Sequence, residues 1–241
     1  MSDSTIVLIT GVARGIGQAL AMAYLSRPNH TVLGTIRDPS APSLSALSSH
    51  VPAHGSRLLL FTLESTNASH YSDLVSSLTT AGITHLDLVI ANAGIARPVG
   101  TPASVDTEDV KNVFDVNALG TLRLFQVLRD LLEAGSNNGK RPKWVSVSSG
   151  AGSIGGCELY GTYRVAPAIH ASEKWLTAFA IHPGLVQTEM GNKGAQIMGL
   201  KEAPNTVEEA VTKTVAAIDS ATREDTSGKF LNVIDGTEVP W

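Results

Sequence analysis

Thr5-Ile6-Val7-Leu8-Ile9-Thr10 runs directly into Gly11-Val12-Ala13-Arg14-Gly15-Ile16-Gly17, and a helical pattern follows over Gly15–Arg27. The first run is apolar and β-branched, which is strand chemistry. Glycines at its end let the backbone turn tightly and come close to a diphosphate. The helix that follows offers unpaired N–H groups and the positive end of its dipole. The spacing is Gly-x-x-x-Gly-x-Gly, and Leu20 stands where the Gly-x-Gly-x-x-Gly fingerprint needs its third glycine. This strand–turn–helix unit predicts a dinucleotide cradle at Gly11, Arg14, Gly15, Ile16 and Gly17.

The rest of the chain repeats the alternation. Apolar runs recur at Thr31–Ile36, Arg57–Leu63, Leu86–Ala91, Trp144–Val147, Leu176–Ile181 and Phe230–Ile234. Helical stretches fall at Ser69–Ala81, Asp106–Glu133 and Thr206–Thr222. Strands that alternate with helices imply a parallel sheet with right-handed crossovers, and continuous apolar strands imply that both faces are covered. Asp106 with Asp109, and Thr206 with Glu209, have capping-box spacing. The expected fold is α/β: one doubly wound Rossmann sheet of about seven strands, a single domain over residues 1–241, with ligands at the carboxyl ends of the strands.

Composition narrows the function. Apolar residues make up 43% of the 241 residues and charged ones 17%, enough for a core and against disorder. A net charge of −4 excludes a nucleic-acid footprint. Cys157 is the one cysteine, so neither an internal disulfide nor a cysteine-built zinc site is expected, and no metal is assigned. The apolar run at residues 6–9 is far too short to span a bilayer, and no basic leader precedes it. We expect a cytoplasmic protein without membrane or nucleic-acid partners.

Cofactor choice is read where the second strand ends. An acid there would bind a ribose 2′-hydroxyl, and a base would accept a 2′-phosphate. Thr35 is not acidic, and Arg37 and Arg14 supply two guanidinium groups, which favours NADP. Asp38 is the alternative ribose ligand if the strand ends later.

Five segments together resemble the short-chain dehydrogenase/reductase family over nearly the whole chain. They are Thr10–Gly17, Ala91-Asn92-Ala93-Gly94, Phe114-Asp115-Val116-Asn117, Ser148-Ser149 and Pro183-Gly184-Leu185-Val186-Gln187-Thr188. Thr35–Asp38, Gly228-Lys229-Phe230 and the terminal Asp235–Trp241 stretch are similar to the branch of fungal norsolorinic acid ketoreductases and carbonyl reductases. The resemblance implies reduction of a small-molecule ketone, such as an aromatic polyketide, with NADPH. It also implies roles for residues: Ser149 and Asn117 in catalysis; Asn92, Ala93, Gly94, Pro183, Gly184, Val186 and Thr188 around the nicotinamide; and Glu64 near the adenine. Arg123, six residues past Asn117 on the same helix, is placed either to reach the cofactor side or to stand exposed on the helix.

One element departs from the family. Its Tyr-x-x-x-Lys motif supplies a proton donor and, one helical turn on, a lysine. Here only Tyr160-Gly161-Thr162-Tyr163-Arg164 has a base at that spacing, so Tyr160 and Tyr163 are both candidate donors and Arg164 the candidate base. A planar guanidinium is not a geometric substitute for an ammonium. Pro167 should end a helix begun near Tyr160 by about Ala166. Only 23 residues (183 − 160) then separate Tyr160 from Pro183, so the helix is shortened by roughly three or four turns. The expectation is a bare apolar patch on the sheet, poor stability, and a homodimer interface in doubt. Two functions therefore stand: an NADP-dependent ketone reductase, and a cofactor-binding protein of the same fold without reductase activity. A serine hydrolase is excluded, because Ser153 has Ala151 where a nucleophile elbow needs glycine.

Overall fold

A computed structural model describes residues 4–96, 103–150, 153 and 165–241. Seven parallel strands form one sheet: β1 (Thr5–Thr10), β2 (His30–Ile36), β3 (Arg57–Thr62), β4 (Leu88–Ala91), β5 (Lys143–Val147), β6 (Thr177–His182) and β7 (Phe230–Asn232), in the order β3-β2-β1-β4-β5-β6-β7. The order reverses between β1 and β4, which opens a crevice at their carboxyl ends. Register across it is tight: Ile9 lies beside Gly34 on β2 and Ile90 on β4.

Alternation along β1 explains the two core layers. Ile6 and Leu8 face a layer built with Leu74, Leu78, Leu128, Leu132 and Trp144. Val7 and Ile9 face the other, with Leu20, Tyr24, Phe179, Val211 and Ile218. The first layer is covered by α3 (Ala68–Thr80) and α5 (Gly120–Asn137), the second by α1 (Gly15–Leu25) and α8 (Val207–Ser220). A short 3₁₀ turn at Pro42–Leu44 and α2 (Ser45–Ser48) follow β2.

The long helix expected over Asp106–Glu133 is three pieces in one run. These are α4 (Thr107–Phe114), a π turn (Asp115–Leu119) and α5. Asp106 caps α4 through the Glu108 N–H at 2.9 Å, one residue short of capping-box geometry. Thr206 caps α8 through the Glu209 N–H at 3.0 Å, as its spacing predicts.

Two expectations need correction. Pro167 does not end a helix: it lies in the first turn of α6 (Val165–Ser172). A first-turn N–H has no intrahelical acceptor, so proline costs nothing there. Nor are β5 and β6 left bare: Trp144, Val145, Ala178, Phe179 and Ile181 are all fully buried. Ala166 of α6 packs with Ala180, Phe230, Val239 and Trp241, and Ile169 joins the α3/α5 layer. Arg223 closes the end of α6, donating to the His170 carbonyl at 2.8 Å and to the Leu176 carbonyl. Between β6 and α8, where the sequence marks no helix, the chain forms α7 (Glu189–Ile197), capped by Thr188.

Candidate active site

The crevice is built by one buried hydroxyl. Thr10 ends β1, and its Oγ1 accepts the N–H groups of Asn92 (3.0 Å) and Ala93 (2.9 Å). Asn92 returns a bond from Nδ2 to the Thr10 carbonyl at 2.9 Å. On the other side, Gly11 and Val12 donate to the Thr35 carbonyl at 3.0 and 3.1 Å. Three strand ends are thus locked together beneath the glycine turn.

Within that turn Gly11 (φ 72) and Gly15 (φ 61) occupy the left-handed region that favours glycine. Gly17 is glycine for space: a Cβ there would collide with the Asn92 side chain and the Gly11 carbonyl. Ile16 is partly buried against the α1/α8 core layer. Helix α1 starts at Gly15 with Arg14 as its N-cap and no side-chain cap. By contrast α3, α4, α7 and α8 are capped by Asn67, Asp106, Thr188 and Thr206. The first-turn N–H groups of α1 are left for an anion.

Beyond the turn stand two arginines, each beside a carboxylate. Arg14 pairs with Glu189, the first residue of α7. Arg37 Nη1 lies 3.9 Å from Glu64 Oε2. Asp38 turns back on itself: its Oδ1 accepts from the Ser40 N–H (2.8 Å) and hydroxyl (2.6 Å), which holds its carboxyl below the usual range. Strand β2 ends at Ile36, so Arg37 follows it directly.

On the opposite wall, Asn117 sits in the π turn. Its Oδ1 accepts the Ile95 N–H and its Nδ2 donates to the Ile95 carbonyl, both at 2.9 Å. A Cβ on Gly94 would lie 3.3 Å from that Oδ1, so the Asn92–Ile95 segment is held close against the helix. Arg123 is drawn elsewhere: it pairs with Asp115 at 2.6 Å and reaches the Ser65 carbonyl at 3.4 Å. Tyr71 also donates to Ser65, at 2.9 Å. Arg123 thus steadies the loop after β3 that carries Glu64.

Ser149 is exposed just past β5, and the backbone N–H of Ser148 donates to the Ile181 carbonyl at 2.8 Å. Pro183 is buried, and Gly184 turns at φ 87. Val186 is buried, and Thr188 Oγ1 accepts the Gly191 N–H at 3.0 Å. Tyr160, Tyr163, Arg164 and Cys157 lie outside the described residues. Three residues escaped the sequence reading. Thr10 was read only as part of the motif. Glu189 carried no signal. His182 ends β6 with Nε2 3.8 Å from where a Gly150 Cβ would be; burial lowers its pKa, against the opposing charge of Asp235.

The short chain dehydrogenase sequence profile matches residues 5–198. The chain belongs to the short-chain dehydrogenase/reductase family. It is 44% identical to the short-chain dehydrogenase srdF of Neurospora crassa, covering 100% of this chain and 99% of that protein. It is 36% identical to the norsolorinic acid ketoreductase of Aspergillus parasiticus, over 99% of this chain and 92% of the relative. Among solved structures, the NADPH-bound carbonyl reductase of chicken fatty liver superimposes with a TM-score of 0.83 at 26% identity, over 99% of both chains. The alignment with srdF runs over 258 positions against 241 residues here, so srdF has about 17 positions that this chain lacks. No helix among the described residues is long and apolar enough to cross a membrane.

Proposed function

We propose that the chain is a single-domain, cytoplasmic, NADP(H)-dependent reductase of a small-molecule ketone, with aromatic polyketides as the substrate class. One observation carries the cofactor reading. The uncapped start of α1 lies in a glycine cradle with no room for a Cβ at Gly17, with Arg14 in the turn and Arg37 just after β2. Gly11, Gly15, Ile16 and Gly17 would hold the diphosphate, and Arg14 and Arg37 the 2′-phosphate. Glu64 would border the adenine. Asn92, Ala93, Gly94, Pro183, Gly184, Val186 and Thr188 would hold the nicotinamide end. The polyketide class rests on likeness to proteins named norsolorinic acid ketoreductase.

The cofactor supplies a hydride for the carbonyl carbon. In this reading the chain orients the carbonyl and feeds its oxygen a proton. Ser149 donates a hydrogen bond to that oxygen. Tyr160 or Tyr163 gives the proton from its phenol, with Arg164 lowering the phenol pKa by charge. Asn117 and Arg123 act one step back, on the Ile95 and Ser65 backbones. Titration with NADPH and NADH tests the cofactor assignment: tighter NADPH supports it, and equal or tighter NADH overturns it.

A second reading has its own support. The relatives' extra positions and the two-turn α6 favour loss of a segment that in the family carries Tyr-x-x-x-Lys. The chain would then bind cofactor without turnover. NADPH binding with no ketone-dependent NADPH oxidation would select it. The helix run 107–137 and α6 would form a homodimer interface, for which sedimentation is the test.

A further inference from the structure

We infer that Glu189 is a specificity-determining residue: it pairs with Arg14 and so limits how tightly, and how selectively, the site takes a 2′-phosphorylated dinucleotide. The inference rests on the NADP reading above and deepens it. Glu189 opens α7, 175 residues along the chain from Arg14, and its carboxylate pairs with the Arg14 guanidinium. Its other oxygen takes the Lys193 ammonium at 2.8 Å. The contact is part of a wider closure. A Cβ on Gly15 would touch Thr188 Cγ2 at 3.5 Å, so the start of α7 rests directly on the turn.

Arg14 has one planar fork of donors, and a carboxylate and a phosphate compete for the same geometry. Both side chains are more than half exposed, at 66% and 55%, so the pair is loose enough to exchange. A phosphate that claims Arg14 leaves Glu189 with Lys193, which keeps its charge partnered. The dinucleotide without the 2′-phosphate makes no such claim. Glu189 therefore weighs against NADPH more than against NADH. Lys193 and Arg14 are the charged groups that face the carboxylate, and both hold its pKa below the usual range, the Lys193 hydrogen bond most. At neutral pH it competes in full.

The test is calorimetric binding of NADPH and NADH to the whole chain, parent beside Glu189→Gln. NADPH should tighten about threefold to fivefold, the worth of an exposed ion pair, and NADH by less than twofold. Raising salt should close the gap between parent and variant, because exposed charges are screened. In an Arg14→Gln background the Glu189→Gln gain should vanish. Glu189→Ala, which removes the carboxylate with less bulk, should repeat the sign if the glutamine variant is poorly folded. Unchanged NADPH affinity in both variants overturns the inference while leaving the NADP assignment standing. Equal tightening of both dinucleotides also overturns it, since Glu189 would then oppose the shared diphosphate. A parent chain that binds neither dinucleotide removes the cofactor reading itself, and this inference with it.

Discussion

Asn117 grips Ile95 by both of its backbone polar groups, each at 2.9 Å, across the gap between the π turn and the segment after β4. A side chain that satisfies an N–H and a C=O together acts as a short strand of β-ladder. Five-residue π turns change which side chains face inward, and they recur at functional sites. Here the turn aims one asparagine at the wall of the cofactor crevice.

Replacing Asn117 with alanine removes both bonds. The expected cost is about 1–2 kcal/mol, since each bond contributes about 0.5–1.5 kcal/mol net and water reaches the vacated groups. Urea denaturation should show a lower midpoint with an unchanged slope, and NADPH affinity should fall as Ile95 loosens. An unchanged midpoint would mean that the clamp carries no stability.

Arg37→Ala tests cofactor selection at the end of β2. A charge-assisted bond to phosphate is worth about 1.5–3 kcal/mol, so NADPH affinity should drop by about tenfold or more. NADH affinity should stay near the parent value, because Arg37 pairs with Glu64 and not with a core group. Loss of both affinities together would reassign Arg37 to a structural role.

Tyr160→Phe should cut ketone reduction by about 10²–10⁴, the usual worth of a positioned general acid, while Tyr163→Phe does little. The reverse pattern would assign the donor to Tyr163. Parent-like kcat in both variants would exclude both phenols.

Inserting a segment of about 17 residues with Tyr-x-x-x-Lys ahead of Val165 should raise NADPH-dependent turnover at least tenfold; the length follows the alignment with srdF and the gain a positioned acid–base pair. The insertion belongs before α6, because Pro167 already sits in that helix's first turn. A parent chain that reduces aromatic ketones at about 1 s⁻¹ or faster, within the ordinary enzyme range, would show that the short form is complete.

The first half of the site was legible because its residues answer to backbone geometry. Gly11, Gly15 and Gly17 are forced by turn angle and space, and Thr35 with Arg37 can be read once the end of β2 is known. The central strands were found for a related reason: burial on both faces leaves unbroken apolar runs, whereas β3, partly exposed at the sheet edge, was marked by its Leu58–Phe61 run alone. The misses share a different cause. Helix α7 is short and carries Gly191 and Gly194 in its interior, so its intrinsic helix preference is low. Pro167 was judged by its effect inside a helix, whereas it lies at the start of one. The Arg14–Glu189 pair joins residues 175 apart in sequence, and nothing local announces it. Arg123 was read from its place on the helix, but Asp115, two turns back, held it.

The uncapped start of α1 has a consequence in mass action. Four other helices carry their own cap in the sequence, whereas this one leaves its first-turn donors to whatever anion the crevice holds. Ligand that binds only the folded chain stabilises it by RT ln(1 + [L]/Kd), about 2.7 kcal/mol at a hundredfold excess over Kd. A domain of this kind stands only about 5–15 kcal/mol above its unfolded state. The dinucleotide thus supplies a measurable part of the fold's own free energy, and the melting point of this chain becomes a readout of how much cofactor surrounds it.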